Sequence, residues 1–324
     1  MPPTGHAICR SLCRRGGRAP VSTPPGPRQV APRTRSSPRF ARPAKEPSLT
    51  RSRFRVTTAA ATDVGRRRSG NEDSYASWAA EGDTPPHAAD HLVVVCDGMG
   101  GSNAGEVASR MAADTVVREF TAAPPDDTAT ALSHAVHVAN QEIWDRSRGQ
   151  QELNGMGTTC TAVALKGDQV LVAHVGDSRA YLVRSHRARQ ITTDHSLVAQ
   201  LVARNQLTPE EARSDPRRNV VTRSVGVGPD IEVDVVAVGE PLKGGDTLVV
   251  CSDGLHGQMS DDEIAGFAMG ESLPDACRDL IELANARGGP DNITVAMLRL
   301  EQAAVPAGNP IGRWLRSLTG RGNS

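Results

Sequence analysis

His91-Leu-Val-Val-Val-Cys96-Asp97-Gly98-Met99-Gly100-Gly101 is the stretch that decides the fold of this chain. Leu92 to Cys96 is an unbroken apolar run, rich in β-branched valine and too short for a helix. It reads as a strand covered on both faces. The run stops at an aspartate followed by Gly-Met-Gly-Gly, so a carboxylate is delivered at the strand end through a turn that backbone and ligands can approach closely.

Outward from this strand the pattern alternates in blocks. Ala104, Val107, Ala108, Met111, Ala112, Thr115 and Val116 follow 3-4 spacing and predict a helix. Pro124, Pro125 and a capping Asp126 or Asp127 open a second helix, with Ala129, Leu132, Val136, Ala139 and Ile143 on one face. Thr159–Leu165, Val170–Val175 and Ala180–Val183 are β-rich, with turns at Lys166-Gly167-Asp168 and Gly176-Asp177-Ser178. Upstream, Phe54–Ala60 and Ser74–Trp78 read as strands around the loop Gly65–Asp73. A polar stretch over 185–228 carries helical signals near Ser196–Ala203 and Pro209–Arg213. Ile231–Val238 alternates with period two, and Asp246–Cys251 reads as a second buried strand. Helices over Asp261–Ala268 and Leu273–Ala286 precede a last strand, Asn292–Leu300. Strands joined by tight turns, with helices in pairs between them, predict an α+β fold with antiparallel sheets.

The net charge of the 324 residues is zero, but residues 1–50 hold nine Arg, one Lys and a single acid, Glu46, so a basic stretch precedes an acidic remainder. Residues 1–52 are Arg- and Pro-rich and hold one aromatic, Phe40, so they are expected to be a disordered tail. Their composition superficially resembles an organellar transit peptide. A solvated linker or an early start codon accounts for it better than a polyanion-binding arm, so no nucleic-acid partner is expected. One domain is expected over 53–300, followed by a flexible tail over 301–324, where Trp314 and Leu315 sit in a short basic amphipathic stretch. No apolar run is long enough to span a bilayer as a helix. The six cysteines, at 9, 13, 96, 160, 251 and 277, lack framework spacing, so a reducing cytoplasm is the expected compartment.

Four aspartates share a context. Asp97, Asp177 in Val175-Gly176-Asp177-Ser178, Asp253 in Cys251-Ser252-Asp253-Gly254 and Asp291 in Gly289-Pro290-Asp291-Asn292 each end a buried strand or sit in a glycine turn beside one. Glu72-Asp73 adds two carboxylates in the first loop. One Asp-Gly is ordinarily a β-turn. Several converging carboxylates repel unless a cation neutralises them, and oxygen-only ligands suit Mg²⁺ or Mn²⁺ rather than zinc. Two such ions about 4 Å apart can share a water and clamp a phosphoryl group. Residue type and spacing alone stop at a hard-cation site.

Eight motifs in order take the expectation further: Arg68-x-x-Asn71-Glu72-Asp73, Val95-Cys96-Asp97-Gly98-Met99-Gly100-Gly101, Gly157-Thr158-Thr159, Val175-Gly176-Asp177-Ser178-Arg179, Thr193-Asp194-His195-Ser196, Thr222-Arg223-Ser224-Val225-Gly226, Cys251-Ser252-Asp253-Gly254-Leu255 and Gly289-Pro290-Asp291-Asn292-Ile293-Thr294. Together they resemble the PPM family, the type-2C protein phosphatases, and most closely its bacterial branch. The resemblance implies an αββα sandwich of two antiparallel sheets flanked by helix pairs. It implies hydrolysis of phosphoserine and phosphothreonine in proteins, at a centre of two Mn²⁺ or Mg²⁺ ions with a possible third. Carried over motif by motif, Asp97 bridges both ions, the Gly98 carbonyl ligates one, and Asp253 and Asp291 hold the other. Glu72 and Asp73 act through waters, Asp177 serves a third ion, and Arg68 takes the substrate phosphate, which suits its forked guanidinium. The implied partners are phosphoproteins and an opposing Ser/Thr kinase, and the chain is expected to be a monomer.

Two departures from the eukaryotic pattern stand out. Met99 replaces a histidine proposed there as the general acid, and methionine donates no proton, which leaves water as the expected acid. Gly257 replaces an aspartate, so a third ion needs another ligand from 205–222, with Asn219 the candidate. Two other readings of the chain are an inactive phosphoprotein-binding module and a small-molecule phosphoesterase. The retention of every metal aspartate speaks against the first.

Overall fold

The computed structural model describes residues 54–80, 89–100, 104–124 and 127–302. The expected tail over 1–52 lies outside the described residues, and so does the tail expected over 301–324 apart from Glu301 and Gln302, which complete the last strand. The chain divides into Met1–Ser48 and Leu49–Ser324, and every described residue belongs to the second unit.

Two antiparallel sheets form its centre. The first joins β1 (Phe54–Asp63), β11 (Ile293–Gln302), β10 (Thr247–Cys251), β7 (Arg179–Arg184) and β8 (Arg187–Gln190) in that order. The second joins β2 (Asp73–Ala79), β3 (His91–Met99), β5 (Cys160–Lys166), β6 (Gln169–Val175) and β9 (Asp234–Ala237), with the two-residue β4 (Gly157–Thr158) extending from the end of β3. Helices α1 (Ala104–Ala122) and α2 (Thr128–Gly149) cover the second sheet, and α6 (Asp261–Ala268) and α7 (Leu273–Ala286) the first. The expected αββα sandwich is the fold.

The apolar run Leu92–Cys96 is continuous rather than alternating because both faces of its strand are buried. Leu92, Val94 and Cys96 point into the core beneath α1 and α2, while Val93 and Val95 point into the layer between the sheets. In β10, Val249 and Cys251 face α6 and α7, and Leu248 and Val250 face the other sheet. A strand buried on both faces has no polar side to alternate with.

Helix boundaries follow local chemistry. Asp127 caps α2 by accepting from Thr130 N–H, which settles the choice between the two aspartates. Ser260 and Glu263 close a reciprocal capping box at α6, and Thr208 and Glu211 another at α4 (Pro209–Ser214). Ser196, whose hydroxyl accepts from Ala199 N–H, caps α3 (Leu197–Ala203). No apolar pattern marks β8, because Arg187–Gln190 is a half-exposed edge strand with little apolar content. A short helix, α5 (Asp253–His256), also lacked a periodic signal, since four residues are too few to show one.

Candidate metal centre

Every carboxylate of the set hangs on a strand end or on a loop braced against one. Asp97 lies near the end of β3, directly opposite Asp73 at the start of β2. Asp253 opens α5 immediately after β10, and Asp291 lies just before β11. Asp177 occupies the turn between β6 and β7. Adjacent strands of one sheet thus bring Asp73 and Asp97 together, and the facing sheet adds Asp253 and Asp291.

The backbone between them is closely packed. Gly98 N–H donates to Glu72 O at 3.1 Å. A Cβ at Gly98 would lie 2.2 Å from Gly105 O and 2.4 Å from Glu72 O, so only glycine fits. Asn292 braces the first loop, donating to Val64 O and Gly70 O at 2.9 Å each and accepting from Glu72 N–H at 2.8 Å. Ser252 donates to Asp73 Oδ2 at 2.8 Å and accepts from Thr294 N–H at 3.0 Å. Thr159 Oγ1 accepts from Asp97 N–H at 2.8 Å. Asn292, Ser252 and Thr159 stand in the sequence only as members of motifs, without a role of their own. Each works through a hydrogen bond to a residue distant in sequence, so no local pattern marks it.

The electrostatics are those of a site built for positive charge. Burial pushes Asp73 up to about 7, with Asp253 and Asp291 adding repulsion. Burial also lifts Asp177 to about 7, with Asp253 contributing repulsion. Asp253 rises to about 6 through burial and the neighbouring Asp291, and lies within hydrogen-bond range of Asp97. Asp97 is raised well above the ordinary carboxylate range, by burial and then by Asp73, Asp253, Asp177 and Asp291. Asp73 Oδ1 and Asp253 Oδ1 are buried without a hydrogen-bond partner. A buried carboxylate oxygen with no donor is costly, and a cation removes both that cost and the mutual repulsion. Among the described residues, no group of three or more His, Cys, Asp or Glu side chains forms a cage able to hold a metal ion. A hard cation that retains waters needs no such cage.

Arg68 brings a positive group into direct contact with the cluster. It is half-exposed and donates Nη2 to Asp291 Oδ2 at 2.8 Å. Beside Asp177, Arg179 forms a fork with Asp194, with Nε to Oδ1 at 2.9 Å and Nη2 to Oδ2 at 2.7 Å. His256 Nε2 donates to Asp177 O at 2.9 Å. Burial, reinforced by Arg179, lowers His256 to about 3, so it is a neutral structural donor.

Asp73, Asp97, Asp177, Asp253 and Asp291 therefore converge with Glu72, Gly98 and Arg68. Asn219 makes no hydrogen bond to any of them among the described residues.

A family model described as Protein phosphatase 2C matches residues 66–293. The chain is 38% identical over 242 residues to the serine/threonine phosphatase Stp of Listeria monocytogenes, covering 73% of this chain and 93% of that protein. The crystal structure of the Mycobacterium tuberculosis serine/threonine phosphatase PstP/Ppp superposes with a TM-score of 0.68 at 35% identity, covering 76% of this chain and 99% of that one. The catalytic domain of the serine/threonine protein phosphatase PstP in complex with two manganese ions superposes with a TM-score of 0.66 at 33% identity, over 76% of this chain and 98% of that one. With a family match spanning most of its folded unit and a relative 38% identical along nearly its whole length, this chain belongs to the protein phosphatase 2C family.

Proposed function

We propose that the chain hydrolyses phosphoserine and phosphothreonine in proteins at a centre of two Mn²⁺ or Mg²⁺ ions, and opposes a Ser/Thr kinase. The carrying observation is the convergence of Asp73, Asp97, Asp253 and Asp291 with two buried carboxylate oxygens left without donors. The relatives named above support it. In this reading Asp97 and the Gly98 carbonyl would hold one ion, and Asp97, Asp253 and Asp291 the other. Glu72 and Asp73 would work through waters, and Asp177 would hold a third ion. When bound, the ions activate water and neutralise phosphoryl charge.

The remaining work falls to the chain. Arg68, tethered to Asp291 and half in solvent, is placed to swing its fork onto a phosphate. Ser252 and Thr294 fix Asp73, and Asn292 fixes the loop that carries Arg68. Met99 holds and releases no proton, so the leaving alkoxide draws its proton from water. The phosphatase domain is taken as 53–300, with tails on either side. The four described cysteines are buried and unpaired, which supports a reducing compartment such as the cytoplasm. No helix among the described residues is long and apolar enough to cross a membrane.

The test is turnover of a phosphothreonine peptide by purified protein with Mn²⁺. Activity is expected with metal, with loss of about a thousandfold or more in Asp97→Asn and Asp253→Asn. No metal-dependent turnover, together with unchanged Mn²⁺ affinity in those variants, would overturn the reading. Faster turnover of free phosphate esters than of the peptide would favour a small-molecule phosphoesterase on this scaffold.

A further inference from the structure

Gly65-Arg66-Arg67-Arg68 sets three guanidinium groups in a row on the loop between β1 and β2. One side chain clamps both ends of that loop, since Asn292 donates to Val64 O and to Gly70 O at 2.9 Å each. The turn into it is equally fixed. Gly65 has φ +80° and donates its N–H to Asp63 Oδ1 at 2.8 Å, and a Cβ there would lie 2.1 Å from Asp291 O. Arg66 N–H donates to Gly289 O at 2.7 Å. The loop therefore rests on the backbone that carries Asp291, and main-chain contacts hold its arginines beside the carboxylate cluster.

The three arginines differ in what they touch. Arg68 is tethered to Asp291. The stem of Arg66 lies across the turn at Gly289, where an added Cβ would meet its Cγ at 3.0 Å. Arg66 and Arg67 are both exposed, and among the described residues neither guanidinium has a hydrogen bond or an ion pair. Asp63, three residues before Arg66, already accepts from Gly65 N–H and from Asn285 Nδ2. Other arginines of this domain are matched to acids: Arg118 to Glu142, Arg184 to Asp246 and Arg287 to Glu263. Two neighbouring cations without partners add nothing to the fold and repel each other and Arg68. Their field draws anions to the loop.

Resting on the phosphatase reading, with Arg68 on the scissile phosphate, we propose that Arg66 and Arg67 form a second anion subsite that selects substrates phosphorylated at two nearby residues. In an extended chain, residues two apart share a face and stand about 6.6 Å from each other. A second phosphoryl group at that spacing falls beside the neighbours of Arg68 on the same loop. Phosphate carries close to two negative charges and three acceptor oxygens, and forked guanidiniums match it bidentately. A carboxylate offers half the charge, so it fills the same subsite less well.

Steady-state kinetics of the full chain with Mn²⁺ test this on peptides of one sequence. One carries a single phosphothreonine, one adds Asp two residues away, and one carries a second phosphothreonine at that place, on either side of the first. In the wild type, kcat/KM for the first dephosphorylation of the doubly phosphorylated peptide is expected to exceed that of the single one by about tenfold or more, beyond the factor of about two for its two sites. The Asp peptide should fall between them. The gain should lie in KM and shrink as salt rises from about 50 to about 500 mM. Arg66→Gln with Arg67→Gln is expected to bring the ratio to within about twofold of unity and to remove its salt dependence. Arg66→Lys with Arg67→Lys should keep the salt dependence and lose most of the preference for phosphate over Asp. A structural role would slow all the peptides together and leave the ratio at its wild-type value, and that result overturns the proposal. Equal turnover of the three peptides by the wild type overturns it too and leaves the phosphatase reading standing, and an Asp peptide as good as the doubly phosphorylated one overturns the assignment to phosphate. No metal-dependent turnover of any peptide overturns the phosphatase reading and this inference with it.

Discussion

Asp73 and Asp97 face each other directly across the β2–β3 ladder, so two acidic side chains share one cross-strand position. Like charges placed this way destabilise a sheet. Burial raises both carboxyls far above the ordinary range, Asp73 to about 7. The fold tolerates the pair at a cost that a bound cation reverses.

Asp73→Asn should therefore stabilise the metal-free protein while weakening metal binding. Removing the charge keeps an acceptor for the Ser252 hydroxyl and relieves repulsion from Asp97 and Asp253. A gain of ~1–3 kcal/mol near neutral pH is expected, visible as a melting shift of several degrees in chelator. Calorimetric Mn²⁺ affinity should fall about tenfold or more. A melting temperature below that of the wild type in chelator would contradict this account.

Metal binding should release protons, and affinity should weaken as pH falls from 8 to 6. Asp73 and Asp177 sit at about 7 and Asp253 at about 6, so the metal-free site holds protons that a cation must displace. Each displaced proton makes affinity fall up to about tenfold per pH unit below these values. For metal-free stability the sign is opposite. Folded pKa values lie above the unfolded ones, so these groups favour folding most at low pH, and their contribution is lost as pH rises through about 6 to 7. Mn²⁺ titrations in buffers of different ionisation enthalpy measure the proton count directly.

Arg68→Ala should act mainly on substrate binding. The side chain is half-exposed and its ion pair to Asp291 lies at the surface, so its loss leaves the fold intact. KM for phosphopeptide should rise about tenfold or more, with the melting temperature unchanged within about a degree. Arg68→Lys should recover little, because an ammonium lacks the fork. Steady-state kinetics separate the two constants.

Gly98→Ala should cost ~3 kcal/mol or more, because its Cβ would meet two backbone oxygens, Gly105 O and Glu72 O, rather than a side chain that can move aside. Denaturant unfolding in chelator reads this without involving the metal. Wild-type stability in that variant would refute the packing described for the loop.

The layers of this protein were legible in its sequence because each rests on a periodic or local signal. Continuous apolar runs such as Leu92–Cys96 mark strands covered on both faces, 3-4 spacing marks α1 and α2, and Asp-Gly turns at strand ends mark where carboxylates emerge. The identity of the acidic set was legible for the same reason, since Asp97, Asp177, Asp253 and Asp291 each carry their context within a few residues. What tertiary structure alone decided is everything that passes between elements distant in the chain. Asn292 reaches back to Val64 and Gly70, Ser252 secures Asp73, and His195 joins Gly176 to Asp234. A hydrogen bond needs its two groups within about 3 Å whatever their separation in sequence, so these contacts leave no spacing to read until the chain has folded.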